Sequence, residues 1–370
     1  MTKVTFENAT IRDVISKASK VAPTRGSAFD KAAGIMMEVK PNENLVLVRS
    51  TNLEIFYMEI ADYVEIEGQA TQWRIPSSII DGICSKLPIT SGKHVTFDDS
   101  LGSSLTLASG RMRAKVRLID PQYFPTWEAF PTEGMELVSN FGATLQMVQW
   151  AAQKAGDPPL TGVHLDGEMV IATNRFRIAL APCKAPPLYK PVTVPAGIFT
   201  PLMKSLGDVH LGVTDNQLLI QPDESVQIRS VIYANEYPPV AKVLKRNESC
   251  NVTFRKSSLL EIIDRALVMA QRDRLPVLKL IIGQEEIAAM AEDKEIGLLG
   301  DVIETPGFAP HARMTICFLP DDLISAINNA PNDQVSMYYH LGEPMKPVRI
   351  DGGSGYESLV MPRKEHSEGE

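Results

Sequence analysis

His164 and Asp166, two residues apart in GVHLDGE, are the first pair in this sequence that could move a proton. Acid–base chemistry needs such groups to converge with a third residue, a nucleophile or a metal ligand. Here they flank Asp166-Gly167, a dipeptide that reverses a hairpin, so one is a strand residue and the other a turn residue. As chemistry, the pair fits a cytoplasmic hydrolase of repeated domains, but no third convergent residue accompanies it. GGSG at Gly352–Gly355 is glycine-rich, yet it lies between short strands and opens no helix. It reads as a hairpin tip and not as a phosphate cradle. Asp321-Asp322 stands at a helix start, where carboxylates cap free N–H groups and suit the helix dipole. The cysteines Cys84, Cys183, Cys250 and Cys317 are never closely paired, which argues against zinc and predicts reduced, buried thiols. No catalytic residue, metal or cofactor is expected.

The elements that would position chemistry are more informative than the chemistry. The 370 residues are 44% hydrophobic and 22% charged, the composition of a globular chain of two or three domains. No apolar run reaches the roughly eighteen residues that span a bilayer. The opening MTKVTFENATIRD has no apolar core, so no secretory signal is expected. A net charge of −8 argues against coating nucleic acid by bulk electrostatics.

A proline-led unit recurs, with Pro76, Pro195 and Pro320 spaced by 119 and 125 residues. After Pro76, Ile79, Ile80, Ile83 and Leu87 follow helical spacing. Each third of the chain opens with a strand and an amphipathic helix. Ile11, Val14, Ile15 and Ala18 form the apolar stripe in the first, and Leu259, Leu260, Ile263 and Leu267 in the third. Strand pairs turning at Pro41-Asn42, Asp166-Gly167 and near Gly283 come next. A third strand, the proline-led helix and a closing hairpin complete each copy. Periods above a hundred residues mean duplicated domains, and helices segregated from mostly antiparallel strands mean α+β. The predicted domains are 1–131, 132–247 and 248–370, divided at the proline-rich PQYFPTWEAFPTEG and EYPPVAKVLKRNES.

Several stretches are then specific. RSTNLEIFYMEI, SGRMRAKVRLIDPQYFP, LTGVHLDGEMVIATNRFRIALA, EYPPVAKVL and YESLVMPRK, in that order, resemble the bacterial DNA polymerase III beta subunit, the sliding clamp family. The resemblance runs over essentially the whole chain. It implies a DNA clamp fold of three similar domains in tandem, and a head-to-tail homodimer closing a six-domain ring around double-stranded DNA. The implied function is a processivity factor that tethers DNA polymerase and clamp loader through short peptide motifs. Localisation would be cytoplasmic and nucleoid-associated, with no membrane role.

The charge pattern suits such a ring. Residues 11–25 carry Arg12, Lys17, Lys20 and Arg25 against Asp13, and the third-domain helix with its exit is also net basic. The expected sequence-blind DNA contacts are Lys17, Lys20, Arg25, Lys86, Lys154, Lys204, Arg265 and Arg272. DDLISAINNAPND, by contrast, holds three aspartates and no basic residue.

The resemblance also implies a peptide pocket, matched position by position. Leu160, Thr173, Arg175, Phe176, Arg177 and Ile178 would form one wall. Pro238, Lys242 and Val243 would come from the interdomain segment, and Leu359, Val360, Met361, Pro362 and Arg363 from the C-terminus. Arg175-Phe176 replaces the family's usual glycine-histidine, and Arg363-Lys364 follows Pro362, so an altered peptide preference is expected. The implied dimer interface brings the edge strand around Ala114 and Val116 against Val268 and Met269. Ala114 is smaller than the anchor expected there, which predicts a weaker dimer.

Overall fold

The computed structural model describes the chain apart from residues 24–29, 126–130, 132, 184–189, 197–201, 203–205, 241–242, 245, 271–275, 294, 306–312 and 365–370. The helix read after Pro195 falls outside the described residues, as do Arg25, Lys204, Lys242 and Arg272.

The first third runs β1 (Thr2–Glu7), α1 (Asn8–Val21), β2 (Ile35–Lys40), β3 (Leu45–Thr51), β4 (Ile55–Ile60), β5 (Glu65–Gly68), β6 (Thr71–Ile75), α2 (Ser77–Cys84), β7 (His94–Asp98), β8 (Ser104–Ser109) and β9 (Met112–Arg117). The middle third runs β10 (Glu136–Val138), α3 (Phe141–Gln149), β11 (Gly162–Asp166), β12 (Met169–Thr173), β13 (Arg177–Pro182), β14 (Val192–Pro195), β15 (Val209–Val213), β16 (Gln217–Gln221) and β17 (Val226–Val231). The last runs β18 (Cys250–Arg255), α4 (Lys256–Leu267), β19 (Leu278–Ile282), β20 (Glu286–Asp293), β21 (Gly297–Glu304), β22 (Met314–Phe318), α5 (Pro320–Asn328), β23 (Gln334–Tyr339), β24 (Val348–Gly353) and β25 (Tyr356–Val360). Apart from the extra β5, the described order is the same each time.

The sheets repeat too. Within each third, the first strand and the last three form one antiparallel sheet, joined in the first third by β5, and the other four strands form a second. The last strand of one third then joins the fourth strand of the preceding one. β17 pairs with β4, Ser230 opposite Ile55, and β25 pairs with β13, Leu359 opposite Ile178. Two eight-stranded sheets result, and the chain divides into two compact units, residues 1–142 with 198–232, and 143–197 with 233–370. The middle third is shared because each of its sheets continues into a neighbour's.

The turn before each junction strand carries the repeat at atomic detail. Asn52 Oδ1 accepts the N–H of Glu54 and Ile55, and Asn174 Oδ1 accepts those of Phe176 and Arg177. Asp293 Oδ1 accepts those of Glu295 and Ile296. Side chains that bond their own backbone fix such loops without tertiary help.

Two apolar stripes differ from the reading of the sequence. In α4 the buried residues are Leu259, Ile262, Ile263 and Ala266, so Leu260 and Leu267 are only half-buried. In α2 the chain buries Ile80, Cys84 and Leu87, while Ile79 is 52% exposed. One helix face can be buried, and adjacent isoleucines cannot share it. EIFYMEIADYVEI is two strands, since β4 and β5 enter different sheets. Cys84, Cys183 and Cys317 are buried as expected, but Cys250 is half-buried.

Candidate functional site

The peptide-pocket residues all belong to the second unit, and alternation along β13 and β25 sorts them. Ile178 and its cross-strand partner Leu359 lie on the face away from the helices. There they form an apolar cluster with Val240, joined by Ile171, Tyr237 and Leu244. Arg177 and its partner Val360 point the other way. The Arg177 guanidinium pairs with Asp322 on α5, reaches the carbonyls of Ala151 and Ala152 at 3.5 and 3.4 Å, and sits 5.4 Å from the Trp150 ring. Arg177 and Val360 are therefore not part of the cluster's surface. Leu160 is buried at the exit of α3, its carbonyl accepting from Gln153 N–H at 2.8 Å.

The described residues of the connector 237–248 form a strap over this outer face. Tyr237 stacks on His164, ring centroids 4.4 Å apart and nearly parallel. Val240 and Leu244 pack into the cluster. At the far end the strap is held by charge. Arg246 pairs with Glu357, and Glu248 accepts from Arg349 Nε at 2.8 Å, while the Arg349 guanidinium covers Tyr338 at 3.8 Å. Burial acts to raise the Glu248 pKa, but the hydrogen bond and charge of Arg349 outweigh it and hold the carboxyl below its ordinary range.

His164, first read as half of an acid–base pair, has a structural role. Its Nδ1 bonds Thr193 Oγ1 at 2.8 Å and its ring supports Tyr237. Burial lowers its pKa, with Asp166 opposing. Asp322 was read as a helix cap; its side chain makes no cap bond and serves Arg177 instead.

The mouth of the site is built by the turn before β13 and the chain after β25. Arg175, at φ +77°, and Phe176 are exposed, Phe176 by 66%. Phe176 N–H donates to Asn174 Oδ1, and its carbonyl accepts from Met361 N–H at 2.9 Å. Thr173 Oγ1 donates to the Arg177 carbonyl at 2.7 Å and closes the turn. Met361 and Pro238 are half-buried, Pro362 is buried, and Arg363 and Lys364 are exposed. Val243, at 50% exposure, stands on the strap. Sequence reasoning missed Ile171, Tyr237, Val240 and Leu244. Strand alternation from Ile178 gives the first, and an apolar residue bracketing Pro238-Pro239 gives the next two.

The expected DNA contacts separate into free and engaged cations. Lys20, Lys86 and Lys154 are exposed. Lys17 is 22% exposed and lies between Asp13 at 2.6 Å and Glu59 at 3.2 Å; Glu59 also accepts from Tyr57 O–H. Burial raises the Glu59 pKa against the pull of Tyr57 and Lys17. Arg265 pairs with Asp301 and Glu261.

Of the interface residues, Ala114 is half-exposed and Val116 is buried in its own sheet. Val268 is exposed and Met269 half-buried, just beyond α4. β9 ends the five-stranded sheet of the first third, and β21 ends the four-stranded sheet of the last. Among the described residues there is no group of acidic, histidine and cysteine side chains able to hold a metal, and no helix long and apolar enough to cross a membrane.

A threefold-repeated α+β chain whose sheets fuse from one third to the next has the architecture of solved DNA clamps. The fold is that of the bacterial DNA polymerase III beta subunit. The beta subunit of Thermotoga maritima is 19% identical with a TM-score of 0.83, covering 99% of this chain and 100% of that one. The DNA polymerase sliding clamp of Bacillus subtilis gives the same figures. The sliding clamp of Pseudomonas aeruginosa bound to griselimycin is 15% identical with a TM-score of 0.82, covering 98% and 100%. No protein-family model and no curated protein matches the sequence.

Proposed function

We propose that this chain is a DNA sliding clamp, a processivity factor that encircles duplex DNA and tethers a polymerase and a clamp loader. It has no catalytic residue and no cofactor, and it works in the cytoplasm. Its three domains are 1–131, 132–247 and 248–370, and two copies join head to tail in a six-domain ring. The observation that carries this reading is the recurring junction. The last strand of a third pairs with the fourth strand of the preceding third twice within the chain, as β17 with β4 and β25 with β13. The same rule leaves one last strand, β9, and one fourth strand, β21, at their sheet edges without that partner. A second copy supplies the missing partner to each, and a heterologous contact that closes makes a ring.

Among the described candidates, Lys20, Lys86 and Lys154 are exposed and available to phosphates, while Lys17 holds α1 to β4. Weak contacts suit a ring, which retains DNA by topology. Partner peptides dock beside the strap, against Ile178, Leu359, Met361 and Phe176. Negative-stain electron microscopy of the purified protein at micromolar concentration tests the reading. Six-lobed rings with an open centre are expected, and compact particles without a hole overturn it.

A further inference from the structure

Beside the strap, a large aromatic ring is left in solvent on a backbone that cannot retract. Phe176 is 66% exposed, while its N–H is held by Asn174 Oδ1 at 3.0 Å and its carbonyl by Met361 N–H at 2.9 Å. Val243, half-exposed on the connector, is another uncovered apolar side chain. An exposed aromatic on a tethered backbone suits a binding hot spot, because little backbone order is lost when a partner covers it.

The exposed charges next to Phe176 and Met361 in the chain are basic. Arg175 precedes Phe176, and Arg363 and Lys364 follow Met361; all three are exposed. Arg363 is fixed through its own N–H, which donates to the Cys317 carbonyl at 2.8 Å. The nearby carboxylates are already engaged, Asp322 by Arg177, Glu357 by Arg246 and Glu248 by Arg349. Among the described residues, no ion pair involves Arg175, Arg363 or Lys364, and Glu236 is the exposed acid on the strap's approach. Cations held at the rim of an apolar contact choose partners by sign more than they add affinity.

We infer that the partner segment read by this site couples a large apolar residue to adjacent carboxylates. The apolar side chain packs on Phe176 and Val243, and the carboxylates face Arg175, Arg363 and Lys364. This rests on the peptide-docking reading above and specifies the ligand.

The test uses the full-length protein and four fluorescein-labelled octapeptides, titrated by anisotropy. Three have a central Phe-Leu pair flanked by Asp, Asn or Lys, and the fourth has Ala-Ala flanked by Asp. The Asp peptide is expected to bind about three- to tenfold tighter than the Asn peptide at low salt, the Lys peptide weakest, the gap closing as salt rises. The Ala-Ala peptide is expected not to bind. Phe176→Ala weakens every Phe-Leu peptide at least about tenfold. The triple variant Arg175→Ala, Arg363→Ala, Lys364→Ala erases the Asp–Asn difference while the Asn peptide keeps its affinity. Equal binding of the Asp, Asn and Lys peptides, or no effect of Phe176→Ala, overturns this inference alone. Binding of none of the four removes the docking reading itself.

Discussion

At the residue scale, the least exposed charges explain why the site is firm behind and open in front. Arg177 and Asp322 are each under one tenth exposed, and they tie β13 to α5 across the inner face of the sheet. A buried pair adds little over apolar residues of the same volume, but removing one partner strands the other charge. Asp322→Ala is therefore expected to cost about 3–5 kcal/mol, and the double variant Arg177→Met, Asp322→Leu to return within about 1 kcal/mol of the parent. Urea unfolding of the three proteins checks it; a single variant costing no more than the double would show that the pair is not desolvated. The sequence displayed both residues but not their partnership. Arg177 was placed in a pocket wall by position, and Asp322 was read as a cap because two aspartates at a helix start have a sufficient local explanation. Their contact spans 145 residues, and no local rule reaches that far. Lys17 is a similar case. Its spacing on α1 was legible, but Glu59, which occupies it, lies on a strand whose register only the fold supplies.

At the scale of elements, the strap has an apolar half seated on His164 and a charged half seated on Arg349, and acid separates them. His164 has a folded pKa below its ordinary value, so at mildly acid pH its ring takes up a proton once the strap is released and refuses it while the strap is docked. Docking is then fully supported above about pH 6.5 and weakens as the pH falls from there through the lower folded value. Glu248 is shifted the same way from a lower starting point, so its contribution persists to about pH 4.3 and is lost only as the pH drops through its own depressed value. After correction for the intrinsic slowing of exchange in acid, protection at Val240 and Val243 should fall between about pH 7 and 5.5 while that of the Glu248 amide holds. His164→Gln, which cannot titrate, should flatten that response; an unchanged pH response in this variant would disprove the role of His164. The order of strands and helices was legible in the sequence because each third repeats it and turn residues punctuate it. The strap was legible only as a proline-rich boundary, since an irregular segment has no period and its partners lie on a face set by sheet pairing. The phases of α2 and α4 slipped for a related reason: adjacent isoleucines or leucines fit two stripes equally, and packing chooses one.

At the scale of the whole molecule, the proposed head-to-tail ring sets β9 against β21 of a second copy, and the side chains of the two strands say what kind of contact that would be. Val116 is buried in its own sheet and Ala114 is small, so β9 offers little apolar anchorage. Its outward residues are Arg113, Lys115 and Arg117, all exposed, with Arg111 at the turn. The outward face of β20 and β21 carries exposed Glu286, Glu292 and Glu304 around Leu298 and Val302. In the proposed ring two β9 edges would repel each other, whereas the head-to-tail combination would bring opposite charges together. Of the interface residues expected from the sequence, Val268 and Met269 lie just beyond α4, which packs on β21; the strand itself was not singled out because its pattern mixes apolar residues with two glycines and two acids. A contact of this kind is strong at low salt and weak at high salt. Sedimentation of the parent protein from about 50 to 500 mM salt should show the dimer dissociation constant rising at least about tenfold, with free monomer at nanomolar concentration. Arg113→Glu with Lys115→Glu should give monomer even at low salt, while Glu286→Lys with Glu292→Lys in the partner should restore association with that variant and not with the parent. A dimer indifferent to salt, or the same loss of association in all combinations, would place the joint on apolar residues and leave the charged edges without a part in closing the ring.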